Sequence, residues 1–223
     1  ADEMKSGLRH SALMNLPVTY IFTHDSIFNS EEGPMRIAVE QLAMLRSIPN
    51  LSVYRPADII ELMGSWESIL QLNKPAALVI STNSIPKLPG SDPQAVKKGA
   101  YIIKKEKERL DGIIIATGSE VVSAMQIAYD LLQNGLDLRV VSMPCVEIFN
   151  SSGLEYEKQI LPPNVKTAVI EAGSSFGWHR YATNDDFILS INDYVYSSNP
   201  LEALQQMSFD YDSLKMKIES LMK

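Results

Sequence analysis

Short, uninterrupted apolar runs that break off into polar residues, separated by amphipathic stretches, restrict more than any other feature how this chain can fold. In the first part these runs are Val18-Thr-Tyr-Ile-Phe22, Leu51-Ser-Val-Tyr54 and Ala76-Ala-Leu-Val-Ile80. In the second they are Gly112 to Thr117, Leu138 to Ser142, Thr167 to Glu171 and Phe187 to Ile191. Runs of this length without a solvent-facing alternation are strands of a parallel sheet covered by helices on both faces. The intervening stretches supply those helices. Apolar residues recur at helical spacing over Met4 to Leu13, Met35 to Arg46, Asp58 to Leu72 and from Gly118-Ser119-Glu120 to Asn134, with further helices at 154–161, 200–207 and 213–222. The expected fold is α/β, with two αβα domains and mostly parallel sheets. Three strands from about 80 residues make a thin sheet, so the first domain is expected to be incomplete and to lean on segments upstream of Ala1. Ile85 to Pro93, with its prolines and glycine, reads as a linker. The expected division is 1–86, a linker at 87–99, and 100–223.

Composition narrows the function. A formal net charge of −7 argues against sequence-independent nucleic-acid binding, which needs a basic surface, and suits a cytoplasmic protein. No apolar run approaches a membrane span, and Asp2, Glu3 and Lys5, with no apolar core beside them, lead to the expectation that this stretch is not a secretory leader. Ala1 opens inside a helical pattern, which leads to the expectation of a piece cut from a longer protein. The single cysteine, Cys145, reads as a packed hydrophobe.

The densest polar cluster follows the first strand. Thr23, His24, Asp25 and Ser26, then Glu31, Glu32 and a Gly33-Pro34 turn, stand where an open α/β sheet places its ligands. A solvated loop is the alternative reading of the same residues. Gly118-Ser119 offers either a phosphate cradle or a plain strand-to-helix corner capped by Ser119, and the corner is preferred because the full glycine fingerprint is missing. Asn184-Asp-Asp186 and Asn192-Asp193 read as turns, since their spacing matches no calcium loop. Lys104 to Arg109 reads as a solvated turn. Trp178-His-Arg-Tyr181 suits partner packing as well as chemistry.

The words in the chain are more specific than its pattern. Thr23-His-Asp-Ser-Ile27, Glu31-x-Gly-Pro34, Val39-Glu-Gln-Leu42, Leu45-Arg46, Ile48-Pro-Asn-Leu51 and Arg55-Pro-Ala-Asp58 come in this order. Ala116-Thr-Gly-Ser-Glu-Val121, Arg139-Val-Val-Ser-Met-Pro144, Leu161-Pro162 and Glu171-Ala-Gly173 follow. In order and spacing these words resemble the transketolases over nearly the whole chain. The resemblance implies a transferase of the pentose phosphate pathway that moves a two-carbon ketol unit between sugar phosphates, using thiamine diphosphate and a divalent metal such as magnesium. It implies that residues 1–86 are the later part of a pyrimidine-binding domain and 100–223 a carboxyl-terminal domain. The diphosphate-binding domain, with the metal ligands and most cofactor contacts, would then belong to an absent segment or an amino-terminal subunit. The glutamate that activates the cofactor would lie upstream of Ala1. A dimer is implied, and the fragment alone is not expected to be active.

By the same resemblance, His24 binds the substrate's phosphate. Glu32 stands where the family has an aspartate that bonds a sugar hydroxyl. Arg36 replaces a histidine that touches the cofactor and the reacting sugar, so any catalytic or cofactor-edge role at that position falls to a guanidinium. Thr82 replaces a phosphate-binding arginine. An arginine at 36 cannot relay a proton as imidazole does, but it can hold a phosphate, while a threonine at 82 offers a single hydroxyl. Two readings stay open: the phosphate subsite has moved from 82 to 36, or the site has decayed into that of a non-catalytic assembly or regulatory subunit. A third reading, a related thiamine enzyme such as a synthase or dehydrogenase component, is disfavoured by the words at 23–27 and 55–58.

Overall fold

Ala76–Val79 carries no polar side chain and is buried along its length, so it can only be the middle of a sheet. In the computed structural model, which describes residues 1–25, 38–194 and 199–223, this strand is β3. It pairs in parallel with β1 (Thr19–Phe22) on one side and β2 (Ser52–Tyr54) on the other, in the order β1-β3-β2. Leu8 and Ala12 of α1 (Lys5–Met14) and Leu42 and Leu45 of α2 (Gln41–Arg46) pack on one face, against Val53, Ala77 and Val79. Tyr54, Ala76 and Leu78 point to the other face, towards Ile69 of α3 (Ile59–Gln71). Alternation along each strand thus sorts its side chains between the helices above and below.

The second sheet has five strands in the order β4-β6-β5-β7-β8: β4 (Tyr101–Lys104), β5 (Gly112–Ala116), β6 (Leu138–Ser142), β7 (Thr167–Glu171) and β8 (Ile188–Ser190). All pairings are parallel except β4 with β6. Ile114, Ala116, Val140 and Ile170 face α4 (Glu120–Gln133) and α8 (Tyr211–Met222). Ile113, Ile115, Val141 and Val169 face Phe149 of α5 (Val146–Asn150), Ile160 of α6 (Leu154–Ile160), Trp178 and Tyr181. α7 (Pro200–Gln206), capped by Asn199, precedes α8. The expected mixed α/β fold with mostly parallel sheets is therefore the observed one. One apolar cluster runs from Tyr54, Ile69 and Leu78 to Ile114, Val140 and Leu131, so the two sheets share a core.

Several local expectations need correction. The amphipathic stretch from Met35 gives a described helix only from Gln41; residues 35–37 lie outside the described residues. Helical bonding begins only at the Glu40 carbonyl, which accepts from Met44 N–H at 2.8 Å, because the Val39 carbonyl before it accepts from Ser174 N–H, 2.8 Å away in the second unit, while Val39 N–H donates to Gln41 Oε1 at 2.9 Å. The charged run 104–109 is not a solvated turn throughout. Lys104 is a buried residue of β4 that donates to the Leu138 carbonyl at 2.7 Å, and Glu106 pairs with Arg139 at 2.7 Å. Asp137 Oδ2 then gathers the N–H groups of Lys107, Glu108 and Arg109. Short helix α5 was not foreseen. Cys145 is buried and its thiol is pushed up by burial, as befits a packing residue.

Ser119 occupies the position before α4, yet its hydroxyl donates to the Glu120 carboxylate at 2.9 Å and not to the helix. The corner is shaped instead by Gly118, which has φ +58°, and a Cβ there would lie 2.7 Å from Arg55 Cζ. Gly135, with φ +82°, has open space around it. Gly135→Ala is therefore expected to cost only left-handed backbone strain, about 1–2 kcal/mol, whereas Gly118→Ala must also displace Arg55 and cost at least about 1 kcal/mol more. Urea unfolding of the two variants checks this; equal losses would contradict the packing assigned to Gly118.

Candidate functional site at the strand ends

Parallel strands bring their carboxyl ends to one edge, and here the register does so for the two strands that carry polar tails. Phe22 of β1 lies opposite Val79 of β3, so the chain beyond each emerges side by side. Thr23 and His24 follow β1 and are exposed, with Thr23 Oγ1 and His24 Nδ1 3.0 Å apart. Ser81 to Ser84 follow β3, with Thr82 exposed. Next to them a cavity of about 170 Å³ is lined by Pro56, Asp58, Ile59, Ile80, Ser81 and Asn83. The structure thus brings His24 and Thr82 to one sheet edge. Glu32 and Arg36 lie outside the described residues.

Asp25 behaves differently from its exposed neighbours. It is buried, and its Oδ2 accepts from Arg55 at 2.7 Å. Arg55 is the first residue after β2 and has no solvent exposure. Its guanidinium also donates to the Thr117 carbonyl at 3.0 Å and to both carboxylate oxygens of Glu120, the first residue of α4. Its backbone is held from both directions, N–H to the Pro144 carbonyl at 2.8 Å and carbonyl to Gly118 N–H at 3.1 Å. Asp25 is therefore the anchor that fixes the turn after β1, leaving His24 presented outward. Arg55 Nη1 lies 3.9 Å from Glu171 Oε1 at the end of β7. Glu171 accepts a forked pair from Arg46 at 2.7 and 2.8 Å and a third bond from Trp178 Nε1 at 2.6 Å. Arg46 stacks over the Trp178 ring at 5.0 Å.

This cluster sets two guanidiniums against three carboxylates. Burial works against Arg55, but Glu120 and Asp25 outweigh it and hold the group cationic, well above its ordinary range. Burial likewise opposes ionised Glu171, and Arg46 overcomes it, so the carboxyl sits below the usual carboxylate range. Glu120 goes the other way: burial raises it, and the like charge of Asp25 adds to that, against the pull of Arg55. A second buried carboxyl, Glu61 of α3, has Tyr101 and Ser142 from the second unit as donors at 2.8 and 2.5 Å, with Ala57 N–H at 2.7 Å. Burial pushes it above the ordinary range despite these bonds.

Neither the Arg46–Arg55–Glu120–Glu171 cluster nor the Glu61 bonds were foreseen as structure. The available signal was a charged residue directly closing an apolar run, as Arg55 and Glu171 do. In the Trp178 to Tyr181 knot the two aromatic residues pack inward, Trp178 donating to Glu171 and Tyr181 OH to Asn150 Oδ1, while His179 and Arg180 are exposed, Arg180 pairing with Glu157 at 3.1 Å. Gly118-Ser119 offers no phosphate cradle, because the Arg55 side chain fills it.

At the sheet edge the described donors are an imidazole and hydroxyls, which suit a sugar or phosphate oxygen. They do not suit a diphosphate–metal centre. Among the described residues no group of three or more His, Cys, Asp or Glu stands ready to hold a metal ion, and no step is derived through one.

Fold and site together define a two-unit α/β chain whose parallel sheets present polar strand ends at a crevice. Comparison with known proteins is specific. The transketolase pyrimidine-binding domain matches residues 3–87, and the transketolase-like C-terminal domain matches residues 99–210. Transketolase of Bacillus subtilis is 38% identical over 99% of this chain, and a probable transketolase of Streptococcus pneumoniae is 39% identical over 99%. A solved transketolase mutant from Pichia stipitis superposes with a TM-score of 0.93 at 31% identity, covering 99% of this chain and 32% of that one. A split-gene transketolase, solved as an inactive beta4 tetramer, shares the fold with a TM-score of 0.76 at 21% identity over 72% of its length. The chain belongs to the transketolase family. It spans about a third, 34%, of the relatives it matches.

The depressed Glu171 carboxyl gives a pH test. Its stabilisation is present above the ordinary carboxylate value of 4.5 and is lost as pH falls through its lower folded value. Arg46→Met is expected to cost about 3 kcal/mol at pH 7, and the gap from the unmodified protein should shrink as pH drops from 5 to 3. A gap independent of pH in urea titrations would count against the pairing.

Proposed function

We propose that the chain is the carboxyl-terminal part, or the carboxyl-terminal subunit, of a transketolase that transfers a two-carbon ketol unit between sugar phosphates. Thiamine diphosphate is the cofactor the family implies, and the carbanion chemistry is the cofactor's own. In this reading the cofactor and a divalent metal such as magnesium are held mainly by a diphosphate-binding domain or amino-terminal subunit, and two copies of this chain take part in the assembly. Residues 1–86 form the pyrimidine-side unit, 87–99 the linker and 100–223 the carboxyl-terminal unit. The setting is the cytoplasm and the pentose phosphate pathway; among the described residues no helix is long and apolar enough to cross a membrane.

The observation that carries this reading is the sheet edge itself: His24, presented next to an anchored Asp25, and Thr82 lie together at the carboxyl ends of paired strands. His24 donates an N–H to the substrate's phosphate, with Thr82 contributing a hydroxyl. Glu32 accepts from a sugar hydroxyl. Arg36 supplies a fixed positive charge for phosphate or for the cofactor's edge, which orients without relaying a proton. The second reading, a non-catalytic assembly or regulatory subunit, is favoured by the substitutions at 36 and 82, because Arg36 cannot relay a proton as the histidine it replaces does and Thr82 offers one hydroxyl in place of a forked, charged donor.

The deciding assay combines the chain with a diphosphate-binding transketolase chain, thiamine diphosphate, magnesium, a ketose phosphate and an aldose phosphate. Two-carbon exchange is expected from the mixture and not from this chain alone. His24→Ala is expected to raise KM for the phosphorylated sugar about tenfold, with a smaller effect on kcat. No exchange under any pairing supports the non-catalytic reading.

A further inference from the structure

Two anchors bracket Thr23 and His24. On one side the Phe22 carbonyl, at the end of β1, accepts from Ile80 N–H at 2.8 Å. On the other the buried Asp25 carboxylate accepts from Arg55 Nη2 at 2.7 Å. A span this short, tied at both ends, has little freedom of its own, so the direction of the imidazole follows the position of Asp25. The position of Asp25 follows in turn from the plane of the Arg55 guanidinium. That plane is set from the second unit. Nη1 donates to the Thr117 carbonyl at 3.0 Å and to Glu120 Oε2, while Nη2 donates to Glu120 Oε1 at 3.2 Å as well as to Asp25. A carboxylate that takes one bond from each nitrogen fixes the fork. Glu120 is itself held: it opens α4, where a helix amino terminus favours negative charge, and its Oε1 accepts from the Ser119 hydroxyl at 2.9 Å. Glu171 stands 3.9 Å from Nη1, so a guanidinium released by Glu120 has another charge to turn to.

We infer that Glu120, in the second unit, is a positioning residue for His24: acting through Arg55 and Asp25, it holds the imidazole where the phosphate of a sugar phosphate binds. The second unit thereby sets the preference for a phosphorylated over a free sugar. The inference rests on the reading above in taking His24 as the phosphate ligand, whereas the relay from Glu120 to the strand end rests on the geometry alone. Glu120 is only 3% exposed, so its effect on a ligand passes through the guanidinium in front of it. Its loss leaves the Thr117 carbonyl as the remaining acceptor from the β5–α4 corner, and a neutral carbonyl bound to one nitrogen does not fix the plane. A displaced hydrogen-bond donor then weakens the contact with a charged phosphate more than the contacts with the rest of the sugar.

Two readouts test the relay. The chain has three histidines, so in the histidine-labelled chain the Cε1–H magnetic resonance signal of His24 is assigned by its loss in His24→Ala. In Glu120→Gln, which keeps the size and removes the charge, that signal is expected to shift and broaden. In Glu120→Asp, which keeps the charge, it should shift less. Leu131→Ala opens a cavity beneath the same helix without touching the relay, and should leave the signal in place. Where Glu120→Gln does not fold, the comparison of Glu120→Asp with Leu131→Ala decides. The second readout is the exchange assay with a diphosphate-binding transketolase chain. There Glu120→Gln should lower kcat/KM for a ketose phosphate about tenfold relative to that for the unphosphorylated ketose, mainly through KM, while Leu131→Ala leaves this ratio unchanged. A His24 signal unmoved in Glu120→Gln overturns the proposal, as does an equal movement in Leu131→Ala. An unchanged ratio in a mixture that does exchange overturns it too and leaves the transketolase reading intact. If the signal moves as expected but the unmodified chain supports no exchange, the relay stands and the transketolase reading falls.

Discussion

A guanidinium without solvent has to be surrounded by acceptors, and Arg55 obtains them from two separated parts of the chain: Asp25 after β1, and the corner between β5 and α4, which supplies the Thr117 carbonyl and Glu120. That requirement makes the two sheets one object. The backbone of Arg55 pairs with Pro144 and Gly118, Val39 pairs with Ser174, and the apolar cluster between the sheets contains residues of both. Arg46 and Glu171 extend the charged seam, and Trp178 closes it with a hydrogen bond to the carboxylate and a ring under the cation. A buried ion network does not guarantee stability, because desolvation opposes it. It does specify one arrangement, since misplacing any member leaves a charge unpaired in the interior.

The functional consequence lies at the end of β1. Thr23, His24 and Asp25 are consecutive, yet the first two face solvent and the third is locked inside. The chain cannot turn differently there without giving up the bond to Arg55. A strand end held in this way presents its imidazole in one place before any ligand arrives, which is the kind of preorganisation a binding site needs. Because Arg55 itself is fixed from the second unit, that unit acts on the strand end through it.

The layered α/β class was legible because buried parallel strands leave long apolar runs, and Ala76–Val79, Gly112–Ala116 and Thr167–Glu171 could be little else. The helix over Met35 to Arg46 was overread at 38–40, since periodicity does not reveal that the Val39 carbonyl is claimed by Ser174. Gly118-Ser119 could be recognised as a corner, but not what occupies it, because Arg55, which is 62 residues from the neighbouring Thr117, arrives from far away in sequence. Among the candidate site residues, the position of His24 followed from the strand that precedes it. The buried role of Asp25 did not, as a carboxylate among hydroxyls and imidazole looks the same in sequence whether it faces solvent or a guanidinium.

The account depends most directly on the coupling between Asp25 and Arg55. A double-mutant cycle of Asp25→Asn and Arg55→Met, read by urea unfolding at pH 7, isolates it. A coupling of about 1.5 kcal/mol or more is expected for a close buried charge pair. Effects that add to within about 0.5 kcal/mol would mean that the strand end is held by something other than this bond.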